Sequence, residues 1–300
     1  MTNRGFKTIS ILIPIWNEEE NIPIFLESLK STLQFLPYHF QLLFVNDGST
    51  DNSTKFILDF PRFTAKLTVI EFSRNYGKET AIYAGLQEHS GDALVLMDAD
   101  MQDPPHLIPV FLKHWEGGNP IVMGIRTKRN KDPYFKRITA AIFEWILQKF
   151  SNKAPLPGSG DFFLLDDSIV QIVKWPTDKP LWFRGIIAKF GKLQTSVYFE
   201  RLERAKGNSK WTYWKLFQLA IQVLFYTSHL PLFFILITEA SALWFFFHHR
   251  NENLFDSKNP LPIVFLVFSF VLAIFVFFYQ RMTKKLQIPK YRIEKKFIRS

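Results

Sequence analysis

The sequence predicts an α/β domain built on a mostly parallel sheet, followed by a membrane anchor. Three observations carry this expectation. The first 125 residues alternate short apolar runs with helical patterns, a polar cluster follows each of the first four runs, and two long uncharged stretches lie near the end of the chain.

The elements follow in order. "TISILIPI", "FQLLFV", "KLTVIEF", "DALVLM" and "PIVMGI" are short, β-branched or apolar, and read as buried strands. Helical patterns lie between them near Ile22–Leu33, Ser53–Phe60, Glu79–Glu88 and Pro105–Trp115. In a sheet of alternating strands and helices, ligands bind outside the carboxyl ends of the strands. Those ends hold Asn17-Glu18-Glu19, Asn46-Asp47-Gly48-Ser49, Ser73-Arg74-Asn75 and the run from Asp98 to Asp103. Four polar ends converging on one crevice predict a binding site there. Neither GxGxxG after the first strand nor GxxxxGK[ST] is present, which argues against a dinucleotide oxidoreductase or a P-loop NTPase.

Charge and hydropathy organise the remainder. The chain of 300 residues carries +10 and no cysteine, so disulfides and thiolate metal sites are excluded. Between Arg281 and Ser300 there are eight Lys or Arg and one acid, Glu294. Leu261–Tyr279 holds no charge, and a membrane span needs about 20 apolar residues. Residues 211–229 read as an amphipathic helix at the membrane interface. Pro231 opens a first span at about 231–248, and a second follows at about 261–280. The loop between them has two basic residues, Arg250 and Lys258, against eight in the tail. The positive-inside rule therefore predicts a cytoplasmic tail, 281–300, and a cytoplasmic N-terminal domain, 1–210. A basic tail next to two spans points to membrane and not to nucleic acid. No signal peptide is expected in "MTNRGFKTISILIPIWNEEE".

The chemistry concentrates in "DALVLMDADMQDPP". Three carboxylates and one amide within six residues repel one another unless a cation joins them. Hard oxygen donors at Asp98, Asp100 and Gln102 suit Mg²⁺ or Mn²⁺, which takes one or two carboxylates together with phosphates. Such an ion stabilises a departing diphosphate. Arg126, after the fifth run in "GIRTKR", is placed to meet the same diphosphate.

"PIWNEEENI", "FVNDGSTDNS", "FSRNYGKETAIYAGL", "DADMQDPP", "GIRTKR", "GSGDFFLL" and "RAKGNSKW" occur in an order and spacing that resembles the inverting, family-two-type nucleotide-sugar glycosyltransferases of GT-A fold. More narrowly, they resemble the polyprenyl-phosphate glycosyltransferases, which include dolichyl-phosphate mannose synthase and bacterial undecaprenyl-phosphate glucosyltransferases. The resemblance covers about residues 9–211. It implies that Pro14, Trp16, Glu18 and Asp47 cradle the base and ribose of a nucleotide sugar, and that Asp98, Ala99 and Asp100 meet its diphosphate. Trp16 stands where tyrosine is usual, Asn46 where an aspartate is frequent, and Phe163 where an arginine is frequent. Asp161 falls where the family places an acid beside the acceptor. Arg204 and Lys210 fall where it binds the acceptor lipid phosphate, and Arg184 in "WFRG" joins them. Both basic residues also lie just before the interfacial helix, at the depth of a lipid phosphate.

Three features are set aside. "QIVKW" resembles the QxxRW of processive synthases, but Lys174 replaces the arginine. The run 134–150 is taken as a membrane-surface or subunit-contact helix, which leaves room for a homo-oligomer. Glu239 within the first span is assigned no role. The expectation is an inverting hexosyltransferase in the bacterial inner membrane, with Asp100, Asp161 and Arg126 in catalytic roles. It would transfer sugar from a UDP- or GDP-sugar to a polyprenyl phosphate, undecaprenyl phosphate first, on the cytoplasmic face for cell-envelope glycan synthesis. The alternatives are a glycosyltransferase acting on a glycan or protein, and a catalytically silent, membrane-tethered nucleotide-binding regulator.

Overall fold

The computed structural model describes residues 6–61, 65–127, 155–174, 182–200 and 291–299, with residues 145, 149, 240, 241, 267, 270–272 and 274 besides. The chain divides into two compact units. One comprises Met1–Arg137, Pro155–Lys210 and Ile288–Ser300, and the other Ile138–Ala154 and Trp211–Gln287. The first holds every strand below.

The expected alternation appears as β1 (Thr8–Ile15), α1 (Ile22–Leu33), β2 (His39–Asn46), α2 (Ser53–Asp59), β3 (Ala65–Phe72), α3 (Lys78–Glu88), β4 (Ala93–Leu96), α4 (Ile108–Glu116) and β5 (Ile121–Arg126). Beyond it come β6 (Ser159–Asp166), α5 (Asp167–Lys174), α6 (Phe183–Ala188), β7 (Gln194–Phe199) and β8 (Ile293–Arg299). The sheet order is β7-β5-β6-β4-β1-β2-β3-β8. β1 pairs in parallel with β2 and β4, β2 with β3, and β5 with β7. β6 runs against β4 and β5, and β8 against β3.

Alternation along the strands feeds two core layers. Ile9, Ile11 and Ile13 join Phe25, Leu29, Phe44 and Phe111 on the face of α1 and α4. Leu12, Leu43 and Val45 join Ile82, Leu86, Phe163 and Phe183 on the face of α3, α5 and α6. Pro14 is buried in β1, which would be costly in mid-sheet because proline donates no hydrogen bond. The β1–β4 ladder stops at Leu12–Leu96, so Pro14 falls past its end on that side.

The antiparallel β6 is what brings its carboxylate to the crevice. Phe163 faces Leu96 in the ladder. Two residues further on each strand stand Asp161, at the beginning of β6, and Asp98, past the end of β4. A parallel strand would have carried Asp161 to the opposite edge.

Part of the segment read only as a basic tail is a strand. β8 completes the sheet, and its charges are partly used in holding it there. Lys296 pairs with Glu88 at 2.7 Å, and Arg299 donates to the carbonyls of Leu58 and Phe60 at 2.7 and 3.1 Å. The interfacial helix, all but a few residues of both spans, Arg204 and Lys210 lie outside the described residues. Among the described residues no helix is long and apolar enough to cross a membrane.

Gly48 sets the turn after β2. Its φ is +65°, and a Cβ there would lie 2.3 Å from the backbone carbon of Arg74. Neither the backbone angle nor the contact can relax by side-chain rotation. Gly48→Ala is expected to cost about 1–3 kcal/mol, read as a lowered urea midpoint.

Candidate active site

The carboxyl ends of β1, β2 and β3 open onto a crevice of about 500 Å³. Trp16 and Asn17 line it from β1, Gly48, Ser49 and Thr50 from β2, and the run from Glu71 to Asn75 from β3. The β1 and β2 turns are bolted together. Asn17 N donates to Ser49 Oγ and Asn17 Oδ1 accepts from Thr50 N, both at 2.8 Å, while Glu18 N donates to Ser53 Oγ at 2.8 Å. Trp16 is 37% exposed at the crevice. Glu18 accepts from Asn21 Nδ2 at 2.7 Å at the start of α1. Pro14 is within the strand and Ala99 within the core, so these two shape the backbone of the site.

Asn46 is explained by its neighbours. Its amide nitrogen donates to Thr54 Oγ1 at 2.6 Å and Glu71 Oε1 at 3.3 Å, and its oxygen accepts from Ser49 N at 2.8 Å. An ionised aspartate there could donate nothing and would face Glu71 with like charge.

Asp47 is buried, and its two oxygens accept from Tyr76 N at 2.6 Å and Gly77 N at 2.9 Å. Burial, opposed by those two N–H groups, pushes its carboxyl up to about 6. Its structural work is to fix the start of α3. Gly77, with φ of +97°, is the N-cap, and Lys78 follows immediately.

Lys78 is the residue that sequence reasoning missed. Its ammonium lies 2.7 and 2.9 Å from the two oxygens of Asp98 and 2.7 Å from Asp161 Oδ2. Burial works against its charge, but Asp161 and Asp98 together hold its pKa above the ordinary lysine value. Burial would also raise Asp161, yet Lys78 and then Arg184 hold that carboxyl well below the usual range. Asp98 is pushed up to about 6 by burial, against Lys78 and with help from Asp103 and Asp100. The available signal was a lysine directly after a turn glycine within "FSRNYGKETAIYAGL".

The other acids are placed just as specifically. Asp103 is fully buried, receives Arg126 Nη2 at 2.9 Å and accepts from Asp98 N at 3.4 Å. Asp100 accepts from Gln102 N at 3.1 Å across Met101, whose φ is +64°. Arg184 lies 3.3 Å from Asp161 through Nε and donates from Nη1 to Ser159 O at 2.9 Å. The buried Nε atoms of Arg126 and Arg184 have no hydrogen-bond partner among the described residues. Asp98, Asp161, Arg126 and Arg184 are thus brought to one place, with Lys78 and Asp103 between them.

A glycosyl transferase family 2 model matches residues 10–170. The chain belongs to glycosyl transferase family 2. It is similar to the bactoprenol glucosyl transferase of Shigella phage SfV, 36% identical over 225 residues, which are 75% of this chain and 73% of that one. It is also similar to a glycosyltransferase of Synechocystis, 35% identical over 224 residues, covering 75% of this chain and 70% of that protein. Among solved structures, glucosyl-3-phosphoglycerate synthase from Mycobacterium tuberculosis, in complex with Mn²⁺ and UDP-glucose, shares the fold. Its TM-score is 0.50 at 21% identity, over 73% of this chain and 77% of that one.

The donor set of this family 2 site can be tested against a divalent ion. Among the described residues no three His, Cys, Asp or Glu side chains could hold an ion by themselves. Mg²⁺ and Mn²⁺ at phosphate sites do not need three, since one or two carboxylates suffice beside phosphate oxygens. Asp98 and Asp100, with Gln102 adjacent, match that demand, and the buried Arg126 Nε, which has no hydrogen-bond partner among the described residues, suits an anion alongside.

Two predictions follow from α3. Lys78→Met leaves two carboxylates facing each other, so stability should fall by roughly 2 kcal/mol. Combining it with Asp161→Asn should recover part of that loss in a double-mutant cycle followed by urea denaturation. The second concerns Glu79, which accepts from Phe183 N at 3.0 Å and so anchors α6. Burial, reinforced by Asp161 and opposed by the Phe183 N–H, pushes its carboxyl up to about 8. The folded state then holds this proton more tightly than the unfolded chain. Its stabilising contribution is present in full below the unfolded value of 4.5 and is lost as pH rises toward 8. Glu79→Gln should flatten the decline of unfolding free energy between those pH values, and an unaltered slope would remove Glu79 as its source.

Proposed function

We propose that this glycosyltransferase moves a hexosyl group from a nucleotide sugar to a polyprenyl phosphate, with inversion, at the cytoplasmic face of a bacterial inner membrane. One observation carries the reading. Relatives named for bactoprenol glucosyl transfer match three quarters of the chain at 36% identity, over a site of paired carboxylates and one buried arginine donor, Arg126 Nε, without a hydrogen-bond partner among the described residues.

The nucleoside enters the crevice between Trp16 and the β3 turn. Asp98, Asp100 and Gln102 would hold Mg²⁺ or Mn²⁺, which would supply charge neutralisation to the diphosphate. Mn²⁺ in a fold neighbour's complex with UDP-glucose supports this assignment. Arg126, fixed by Asp103, presents its spare Nε–H to the departing diphosphate. A lipid phosphate oxygen attacks the anomeric carbon from the opposite side. The new C–O bond forms as the bond to the diphosphate breaks, and the nucleoside diphosphate leaves with the electron pair. Arg204 and Lys210 hold the lipid phosphate, and Arg184 contributes to the same binding.

Asp161 orients this arrangement and takes no proton. A phosphate monoester has a second pKa of about 6, so at neutral pH much of it is already a dianion. Asp161 is held ionised by Lys78 and Arg184, which makes it a poor base. Its charge, already matched by those two cations, does not repel the incoming dianion as an isolated carboxylate would.

Residues 211–229 as an interfacial helix and two spans at about 231–248 and 261–280 supply the anchor. The charge asymmetry of the flanks, eight basic residues against two, supports the orientation.

Membranes containing the full chain, incubated with labelled UDP- and GDP-sugars, should label one polyprenyl phosphate. EDTA should stop this reversibly, and Asp100→Asn should lower it by at least about 100-fold. Labelling of a glycan or protein instead would favour another acceptor, and no turnover of any nucleotide sugar would favour a silent regulator.

A further inference from the structure

The crevice at the ends of β1, β2 and β3 has a fourth wall that lies far away in sequence. Glu294 and Lys295 of β8 line it, across from Trp16 and Asn17. They reach it because β8 pairs with β3, and the pairing is irregular at this point. Lys295 faces Glu71, but Phe72 faces Ile293, so Glu294 is an extra residue on β8. A bulge of this kind twists an edge strand and re-aims side chains, and bulges concentrate beside active sites.

The bulge also changes which face each residue serves. Before it, Tyr291 packs on the α3 side, its ring 4.9 Å from Phe72. After it, Phe297 packs on the α1 side and Lys296 returns to Glu88 of α3. Without the extra residue, the strand could not satisfy both cores and also turn Lys295 toward Glu71. The charges of β8 divide accordingly. Lys296 and Arg299 hold the strand in place, whereas Glu294 and Lys295 make no ion pair among the described residues and stand exposed at the crevice.

We infer that β8 is part of the donor site, and that Glu294 and Lys295 contact the nucleoside of the nucleotide sugar. Glu294 offers acceptors to ribose hydroxyls, and Lys295 offers a donor to the base edge or ribose. A crevice of about 500 Å³ falls within the usual range for small-ligand sites. Nucleotide affinity then depends on the chain end that follows the predicted membrane segments. This inference rests on the nucleotide-sugar reading above.

The test measures binding of UDP and of GDP to the full chain in detergent by calorimetry, with steady-state rates alongside. Glu294→Ala/Lys295→Ala should weaken the preferred nucleoside diphosphate by about tenfold and raise KM for its sugar in step, leaving kcat and KM for the lipid unchanged. Lys296→Ala, which breaks the Glu88 pair on the other face, should bind nucleotide as the wild type does. Lys295→Met keeps the aliphatic stem, and should show part of the loss if the double variant melts early. Equal affinity in wild type and double variant overturns the inference. An equal loss in Lys296→Ala also overturns it, because undocking of the strand would then explain the effect. A wild type that binds neither UDP nor GDP is a different failure, since it removes the nucleotide-sugar reading itself and the β8 contact with it.

Discussion

The ammonium of Lys78 sits between carboxylates from two different strands, and the rest of the site is arranged around it. Asp98 arrives from the end of a parallel strand and Asp161 from the beginning of an antiparallel one. Two partly buried carboxylates at that separation would repel, and β4 and β6 are adjacent, so the repulsion would act directly on the sheet. One cation between them offsets the repulsion, and Arg184 adds a second positive charge beside Asp161. The chain reaches that arrangement by a relay of small commitments. Asp47 gathers the N–H groups of Tyr76 and Gly77, the positive φ of Gly77 begins α3, and Lys78 is its first residue. Glu79, next along, anchors α6, which carries Arg184 to the other oxygen of Asp161. Arg126 and Asp103 repeat the same device one strand over.

This network sets the acids apart electrostatically. Asp161 sees two cations and stays ionised. Asp98 sees one cation and two further carboxylates, so its charge is least well matched of the pair. A carboxylate so placed gains most from additional positive charge.

Much of the fold was legible because its first half obeys simple periodicity. β1 to β5 and α1 to α4 correspond to apolar runs and helical patterns that the sequence displays openly, and the polar ends of the first three strands line one crevice, whereas the run from Asp98 to Asp103 is not among its lining residues. The second half was harder for identifiable reasons. β6 is antiparallel, and direction is not written in a run such as "SGDFFLLD". β8 reads as a charged tail, since Lys295, Lys296 and Arg299 serve pairing and pocket while few of its side chains are buried. Asp98, Asp100, Asp161 and Arg126 were recognisable as site residues from their motifs. Lys78 was not, because its partners lie 20 and 83 residues away and only the register of β4 against β6 brings them together. Asn46, read as a departure from the usual aspartate, is accounted for by a donor role toward Glu71 that only the folded turn shows.

The return of the chain end to the sheet constrains everything between. β3 and β8 pair along six register positions, so residues 291–299 lie on the same side of any membrane as the catalytic sheet. Any passage of 211–287 through a bilayer must then consist of an even number of crossings. Two uncharged stretches meet that condition, whereas a single span or three would tear β8 from β3. The charge argument survives a stricter count. Lys295, Lys296 and Arg299 belong to the strand, and Arg292 adjoins it through its carbonyl to Ser73 N. That leaves Arg281, Lys284, Lys285 and Lys290 close to the second stretch, four against the two of the intervening loop. The β-ladder bears on the parity of any crossings, and the charge bias bears separately on which side the sheet would face. Only the second was visible before the fold was known.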